Sequence, residues 1–267
     1  MYFLKVTILI FVSVFSLILD TSTCYSVEPT LRVGYQDSDG SPLVMGIGPE
    51  VGNPPGIGVD IIFQVANDLN IKLLIERKPN KRIHGYLRLG KYDASGFYSY
   101  KKERMKEGKY PTKDGKLDKD KRVYVLGYYM YALKNSSVSW DGKKLTGATV
   151  VGANMGYSVV GDLNELGIPV SEVISTKQNL EKLLKGRIQA YAAQDGTIDP
   201  IIASYKQYQN IIKIGPPIKT KEYYFMFSHQ FYDKNKKLAH KIWDRIEYVR
   251  ESVISNYKKM NLRPIIE

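Results

Sequence analysis

Residues 59–98 read VDIIFQVANDLNIKLLIERKPNKRIHGYLRLGKYDASGFY, and this stretch decides the fold. Ile61, Ile62, Val65, Ala66 and Leu69 recur at helical spacing, so 59–69 is predicted to be a helix. Residues 71–75, IKLLI, read as a second short strand. A second helix is expected over 81–89, ended by Gly90, and 92–98 return to strand. Strands and helices alternating in this way imply a parallel sheet with helices packed on its faces.

The same alternation extends outward. Upstream, 31–35 reads as the first strand, followed by a loop rich in Gly and Pro from Asp37 to Gly58. Downstream, 101–122 interrupts the pattern with charged residues, Gly108, Pro111 and a turn expected at Asp114-Gly115. Order resumes over 123–133, a Tyr- and Val-rich connecting strand. A second set then begins: strands at 149–151, 172–174 and 189–194, a turn over 152–156, and helices at 157–166, 176–184 and 198–205, with Thr176 as the expected N-cap. The last clear strand is 223–228, and helices over 235–250 and 253–260 close the chain. Those helices have no sheet of their own and are expected to return to the first half. Two lobes follow, one of 27–130 plus 223–267 and one of 131–222. Two crossings would join them as a hinge, with a ligand cleft between.

Composition narrows the class. With 43% hydrophobic and 25% charged residues, the chain is an ordinary globular sequence, which sets aside disordered, collagenous and disulfide-scaffold proteins. At the N-terminus, Lys5 precedes the charge-free apolar run 6–19, broken by Asp20 and Thr21-Ser22-Thr23. That is the layout of a secretory signal peptide, predicted to span 1–26 with cleavage after Ser26. The run is shorter than the roughly 18–20 residues of a membrane-spanning helix. Cys24, the one cysteine, falls within this segment and is an alternative site for a lipid. The mature chain then has no disulfide of its own although it enters an oxidising compartment, which suits a periplasmic protein with a real core. Net charge is +12 and stays so after cleavage, because Lys5 and Asp20 leave together. The basic clusters at 101–121 and 234–241 are mixed with acids, as on solvated faces. No basic stripe with interleaved stacking aromatics appears, so a nucleic-acid partner is not expected.

Four segments carry a family resemblance. They are Leu31-Arg32-Val33-Gly34, Gly58-Val59-Asp60-Ile61-Ile62, Leu87-Arg88-Leu89-Gly90-Lys91-Tyr92-Asp93, and Leu183-Leu184-Lys185-Gly186-Arg187-Ile188-Gln189-Ala190, the last with Gln189 where Asp is usual. In order and spacing they resemble bacterial extracellular solute-binding proteins of family 3, the periplasmic polar-amino-acid receptors of ABC transporters. The resemblance implies an α/β, periplasmic-binding-protein-like fold. It implies a monomer that closes its hinge on a small carboxylate-bearing solute, an amino acid or a relative, and delivers it to the membrane permease of an ABC transporter.

Candidate ligand groups follow. Arg104 resembles the family position that clamps a ligand carboxylate, chemistry that suits a planar guanidinium with two parallel donors. Ser99 resembles a neighbouring hydroxyl donor. The competing reading of Arg104 is one more cation in a solvated charged segment. Gly156-Tyr157-Ser158 sits at a strand–turn–helix junction, where helix amides and dipole favour an anion; Ser158 is equally suited to an ordinary cap. After the second-lobe strand, where the family places an acid for the ligand ammonium, this chain has Gln194 followed by Asp195. Either Asp195 serves through a shifted strand end, or the ligand has no α-ammonium. Tyr35 and Phe97 are the aromatics chosen to face the cleft, with Tyr98 and Tyr128 as further candidates.

Catalysis, metals and cofactors are not expected. His84, His229 and His240 lie at no metal-ligand spacing, and the mature chain holds neither a G-x-S-x-G elbow nor a cysteine nucleophile. Two alternatives to transport stay open: a sensor read by a membrane signalling protein, and a lyase or dehydratase on the same fold, for which Asp195 and Glu222 are the nameable carboxylates.

Overall fold

The computed structural model describes residues 28–260; the expected signal peptide, Cys24 and the last seven residues lie outside them. Three parallel strands form the first sheet core: β1 (Thr30–Gln36) lies between β2 (Lys72–Lys78) and β3 (Ala94–Ser99). Helices α1 (Ile57–Asp68) and α2 (Asn80–Arg88) make the crossovers. The charged excursion follows, with a hairpin of β4 (Thr112–Lys113) and β5 (Lys116–Leu117). Its turn is the expected Asp114-Gly115, both at positive φ (51° and 73°), as a tight two-residue hairpin requires.

Strand β6 (Tyr124–Leu133) leads into the second half. A short hairpin of β7 (Ser139–Trp140) and β8 (Leu145–Thr146) precedes a second parallel trio. In it, β9 (Val151–Asn154) lies between β10 (Val170–Val173) and β11 (Ala190–Gln194), with α3 (Ser158–Glu165) and α4 (Thr176–Leu184) as crossovers. Helix α5 (Asp195–Ser204) leads to β12 (Ile211–Phe227), and α6 (His229–Lys234) and α7 (Lys236–Lys259) end the described chain. All eight long strands join one curled mixed sheet in the order β10-β9-β11-β6-β12-β3-β1-β2.

This order explains the two-lobed shape. Strands β6 and β12 pair antiparallel to each other, and the outer partner of β6 is β11 while that of β12 is β3. They are the shared seam of both trios. Apolar clusters separate along it: Leu126 and Tyr223 belong to the core with α1 and α7, while Tyr128 and Ile218 belong to that of the second trio. A register shift between Ile214 and Lys219 lets β12 bend as it crosses.

Several boundaries differ from expectation. Strand β12 begins at Ile211 rather than at 223, because its pairing with β6 is long-range and leaves no local hydrophobic period. The C-terminal pair of helices is one helix, α7, whose apolar stripe from Ala239 to Tyr257 stays continuous. Thr176 is not the N-cap of α4: Ser175 is, in a capping box with Gln178, and Thr176 instead accepts a bond from Asn154. Gln189, standing where the family has Asp, accepts bonds from the Thr149 and Val150 amides at 3.2 Å each, as Asp93 accepts the Arg32 amide at 2.8 Å. The carboxylate is needed only in the first trio, where the Arg32 guanidinium also binds it.

Helix α7 returns to the first half by a specific contact. Helix α1 has no side-chain cap of its own, and the Gly56 amide donates to the Tyr257 hydroxyl at 3.0 Å, which donates to Asp60 at 2.5 Å. Tyr257→Phe leaves the Gly56 amide without its acceptor and is expected to lower unfolding stability by about 1–3 kcal/mol. Urea titration checks this as a lower midpoint at constant slope; an unchanged midpoint would mean the bond carries no net stability.

Candidate functional site

In α/β sheets, ligands bind beyond the carboxyl ends of parallel strands, where the chain departs to opposite sides. Here two such edges face each other. Gln36 ends β1 and Ser99 ends β3; Gly156 follows β9 and Gln194 ends β11. Between them lies a cleft of about 480 Å³, open mouth included, bordered by Phe97, Ser99, Arg104, Gly156, Tyr157, Ser158 and Gln194. The seam strands form its back through Tyr128 and Tyr223.

Arg104 sits on a short 3-10 helix, Lys102–Lys106, soon after β3. Its Nη1 donates to the Ser99 carbonyl at 2.8 Å and the Ser99 hydroxyl at 3.2 Å, and its guanidinium lies 5.3 Å from the centre of the Tyr98 ring. Tyr110, from the charged excursion, donates to the same Ser99 carbonyl at 2.9 Å. The start of the excursion is thereby tied down, and the Arg104 fork is held at the cleft rather than loose in solvent. Tyr98 in turn donates to Asn80, which donates to Gln36, making a continuous polar wall.

The opposite wall is the start of α3. Gly156 takes φ +76°, a value open to glycine at little cost, and turns the chain into the helix. Its amide is spent on Glu172 at 3.3 Å, and that of Tyr157 on the Asn154 carbonyl at 3.1 Å. The amides at the head of α3 that have no intrahelical acceptor are therefore those of Ser158 and Val159. Ser158 is 3% exposed and does not cap its own helix: the N-cap is Tyr157, without a side-chain bond, and the Ser158 hydroxyl accepts from Lys221 Nζ at 2.9 Å.

Gln194 is buried at the cleft's back. Its amide nitrogen donates to the Tyr128 hydroxyl at 3.0 Å and the Tyr223 hydroxyl at 2.5 Å, and Tyr223 donates to Tyr128 at 3.2 Å. Burial pushes the Tyr128 phenol up and the Tyr223 phenol well up, so both stay protonated donors.

Two of the residues picked from sequence lie outside the lining. Tyr35 is 2% exposed behind Phe97, in the core with α1, because the period of two along β1 puts it on the face of Leu31 and Val33. Asp195 opens α5 immediately after Gln194, and its Oδ1 accepts the amides of Gly127 at 3.2 Å and Gly196 at 2.8 Å. It is a carboxylate at a helix N-terminus, turned from the cleft. No Asp or Glu is among the described residues that line the cleft.

Gln36, Asn80, Tyr223 and Lys221 were not picked out from sequence. Gln36 had a local signal, as the residue ending the first strand. The others depend on strand pairing: Tyr223 lies opposite Ser99 in the β3–β12 register. Lys221 sits on β12, 8% exposed, ion-paired with Asp162. Burial pulls its ammonium down to about 8.

The shape has known counterparts. No protein-family model matches the sequence, and no curated protein matches it. Solved structures do. The chain superposes on an ancestral arginine-binding protein bound to glutamine with a TM-score of 0.66 at 17% identity, covering 87% of this chain and 97% of that one. The GluR0 ligand-binding core in complex with L-glutamate gives 0.69 at 16% identity, covering 87% and 98%. The substrate-binding protein of an amino acid ABC transporter gives 0.63 at 16% identity, covering 86% and 96%. The fold is that of the periplasmic binding proteins. Within the binding-protein fold, the cleft described above is the space between the two lobes. Among the described residues no helix is long and apolar enough to cross a membrane, and no His, Cys, Asp and Glu cluster is arranged to hold a metal ion.

Proposed function

We propose that the chain is a periplasmic solute-binding protein, exported by residues 1–26, that captures a small carboxylate-bearing solute and delivers it to an ABC transporter. Its lobes are 27–130 plus 223–267 and 131–222, and they close about the β6–β12 seam. The observation that carries this reading is the placing of Arg104 on one wall and of Ser158, at the head of α3, on the other, in a cleft whose described lining residues include no acid. A guanidinium fork and helix-end amides are complementary to one carboxylate held between them. Gln194 offers an amide where an ammonium would need a negative charge, which favours a solute that depends on its carboxylate.

Closure has contacts of its own. Thr197, in α5, donates to the Ser41 carbonyl at 2.5 Å, and Gly196 packs on Pro42, both across the lobes. Thr197→Val removes the bond while keeping the shape, and is expected to weaken solute binding about fivefold, corresponding to about 1 kcal/mol. Titration calorimetry with a bound solute reads this, and equal affinities would remove Thr197 from the closing contacts.

The reading is tested by a thermal-shift screen with amino acids, dicarboxylates and small peptides. A ligand at about 100 times its Kd stabilises the native state by about 2.7 kcal/mol. A screen in which carboxylates give no shift, while neutral or cationic solutes do, overturns it.

A further inference from the structure

We propose that Lys221, acting through Ser158, makes the cleft selective for a solute with a carboxylate and no ammonium group. This rests on the solute-binding reading above and names the class of solute. Gln194, Tyr223, Tyr128, Ser158 and Lys221 lie in one polar cluster at the back of the cleft. Tyr128 accepts from Gln194 and from Tyr223, which fills both lone pairs of its oxygen. Tyr128 can therefore take no further hydrogen, including that of Ser158. Ser158 accepts from Lys221, an ammonium that has three donors and no lone pair. The Ser158 hydrogen thus finds an acceptor on neither Lys221 nor Tyr128, and Ser158 borders the cleft, where a solute can take it.

The cleft thereby presents donors from both walls. Arg104 has no acceptor, Ser158 has a hydrogen to give, and the head of α3 offers N–H groups. A carboxylate satisfies all of these. An α-ammonium brings three more donors into a buried space lined by Gln194 and by no acid among the described residues, and has to give up its hydration there. Lys221 is a positioning residue in this scheme: it touches Ser158 and leaves the solute to Ser158.

The groups around Lys221 hold it charged at neutral pH. Asp162 and Ser158 face it from α3, Tyr128 from β6 with its ring centre at 5.4 Å, Lys101 from the segment after β3, and Lys219 from its own strand. Lys102, Glu103, Glu165 and Glu222 line the outer groove beyond. Burial and the two neighbouring lysines lower its proton affinity, Asp162 opposes them, and the ammonium titrates at about 8. An anionic solute favours the charged form. Affinity is therefore full below that pH and falls as pH rises through it, when neutral Lys221 can accept the Ser158 proton and withdraw the donor.

The experiment is titration calorimetry of the whole chain with matched pairs of probes: propionate and alanine, succinate and aspartate, glutarate and glutamate, 4-methylpentanoate and leucine. In at least one pair the acid without the ammonium is expected to bind about tenfold tighter or more. Between pH 7 and pH 9 its affinity is expected to drop about tenfold, as the charged fraction of a group titrating near 8 falls. Lys221→Arg, which stays charged throughout, is expected to abolish that drop, and Lys221→Met with Asp162→Asn to weaken binding at both pH values. Tighter binding of the amino acids, or the same pH profile in wild type and Lys221→Arg, overturns the role of Lys221 and leaves the solute-binding reading standing. Binding of none of the probes overturns both. Should the double variant not fold, the wild-type and Lys221→Arg profiles decide the matter.

Discussion

Replacing Arg104 by alanine is expected to abolish the thermal stabilisation given by any carboxylate that binds the wild-type chain. Removing one member of a desolvated, hydrogen-bonded charge pair costs about 2–5 kcal/mol, and each 1.4 kcal/mol is a factor of ten. The expected loss of affinity is thus from about 30-fold to a few thousandfold. The ligand-free protein should hardly notice. Arg104 is partly exposed and its bonds to Ser99 are local, so the expected change in unfolding is about 1 kcal/mol or less. This contrast separates a binding defect from a folding defect. Arg104→Lys keeps the charge and loses the planar fork, so it should fall between wild type and alanine. A carboxylate that shifts the melting of Arg104→Ala as much as that of wild type would remove this residue from the site and leave the fold untouched.

Trp243→Ala is expected to have the largest effect on stability, a loss of about 3–5 kcal/mol. Trp243 is 1% exposed and is the hub of an aromatic cluster, with ring centres of Phe227, His240 and Tyr232 at 5.1, 5.4 and 5.7 Å. Its indole N–H donates to the Phe225 carbonyl at 2.8 Å, so truncation leaves a cavity and an orphaned buried carbonyl together. Against a typical total of 5–15 kcal/mol this is a large fraction. Equilibrium urea unfolding measures it. A loss below about 1 kcal/mol would mean that α7 is not an integral part of the core beneath β12. Solute affinity below the transition should be retained, because the cluster lies on the far side of Phe225 and Phe97 from the cleft.

Much of the architecture is local and so legible in the residues alone. The helical spacing of Ile61, Ile62, Val65 and Ala66, the stop at Gly90 and the turn at Asp114-Gly115 depend on neighbours a few positions away, and each stands in the fold. Ser99, Arg104, Ser158 and Gln194 were legible as strand-end and helix-start residues, and one cleft brings them together.

Which side chains face that cleft is a different matter. Gln194 and Asp195 are adjacent in the chain, yet one ends a strand and borders the cleft while the other begins a helix and binds backbone amides. The outcome turns on where α5 starts, three residues before periodicity suggested. Tyr35 was assigned to the cleft as a strand-end aromatic, but strand alternation together with the docking of α1 put it in the core. Lys221 carried no local signal in the sequence. Pairing of β12 with β6, and the approach of α3, bury its ammonium against Ser158 and Asp162. Period and turn chemistry are written in contiguous residues, so the order of strands and helices was determined by the sequence itself. Burial, hydrogen-bond direction and charge at the cleft arise where segments far apart in the chain meet, and only the tertiary structure decided them.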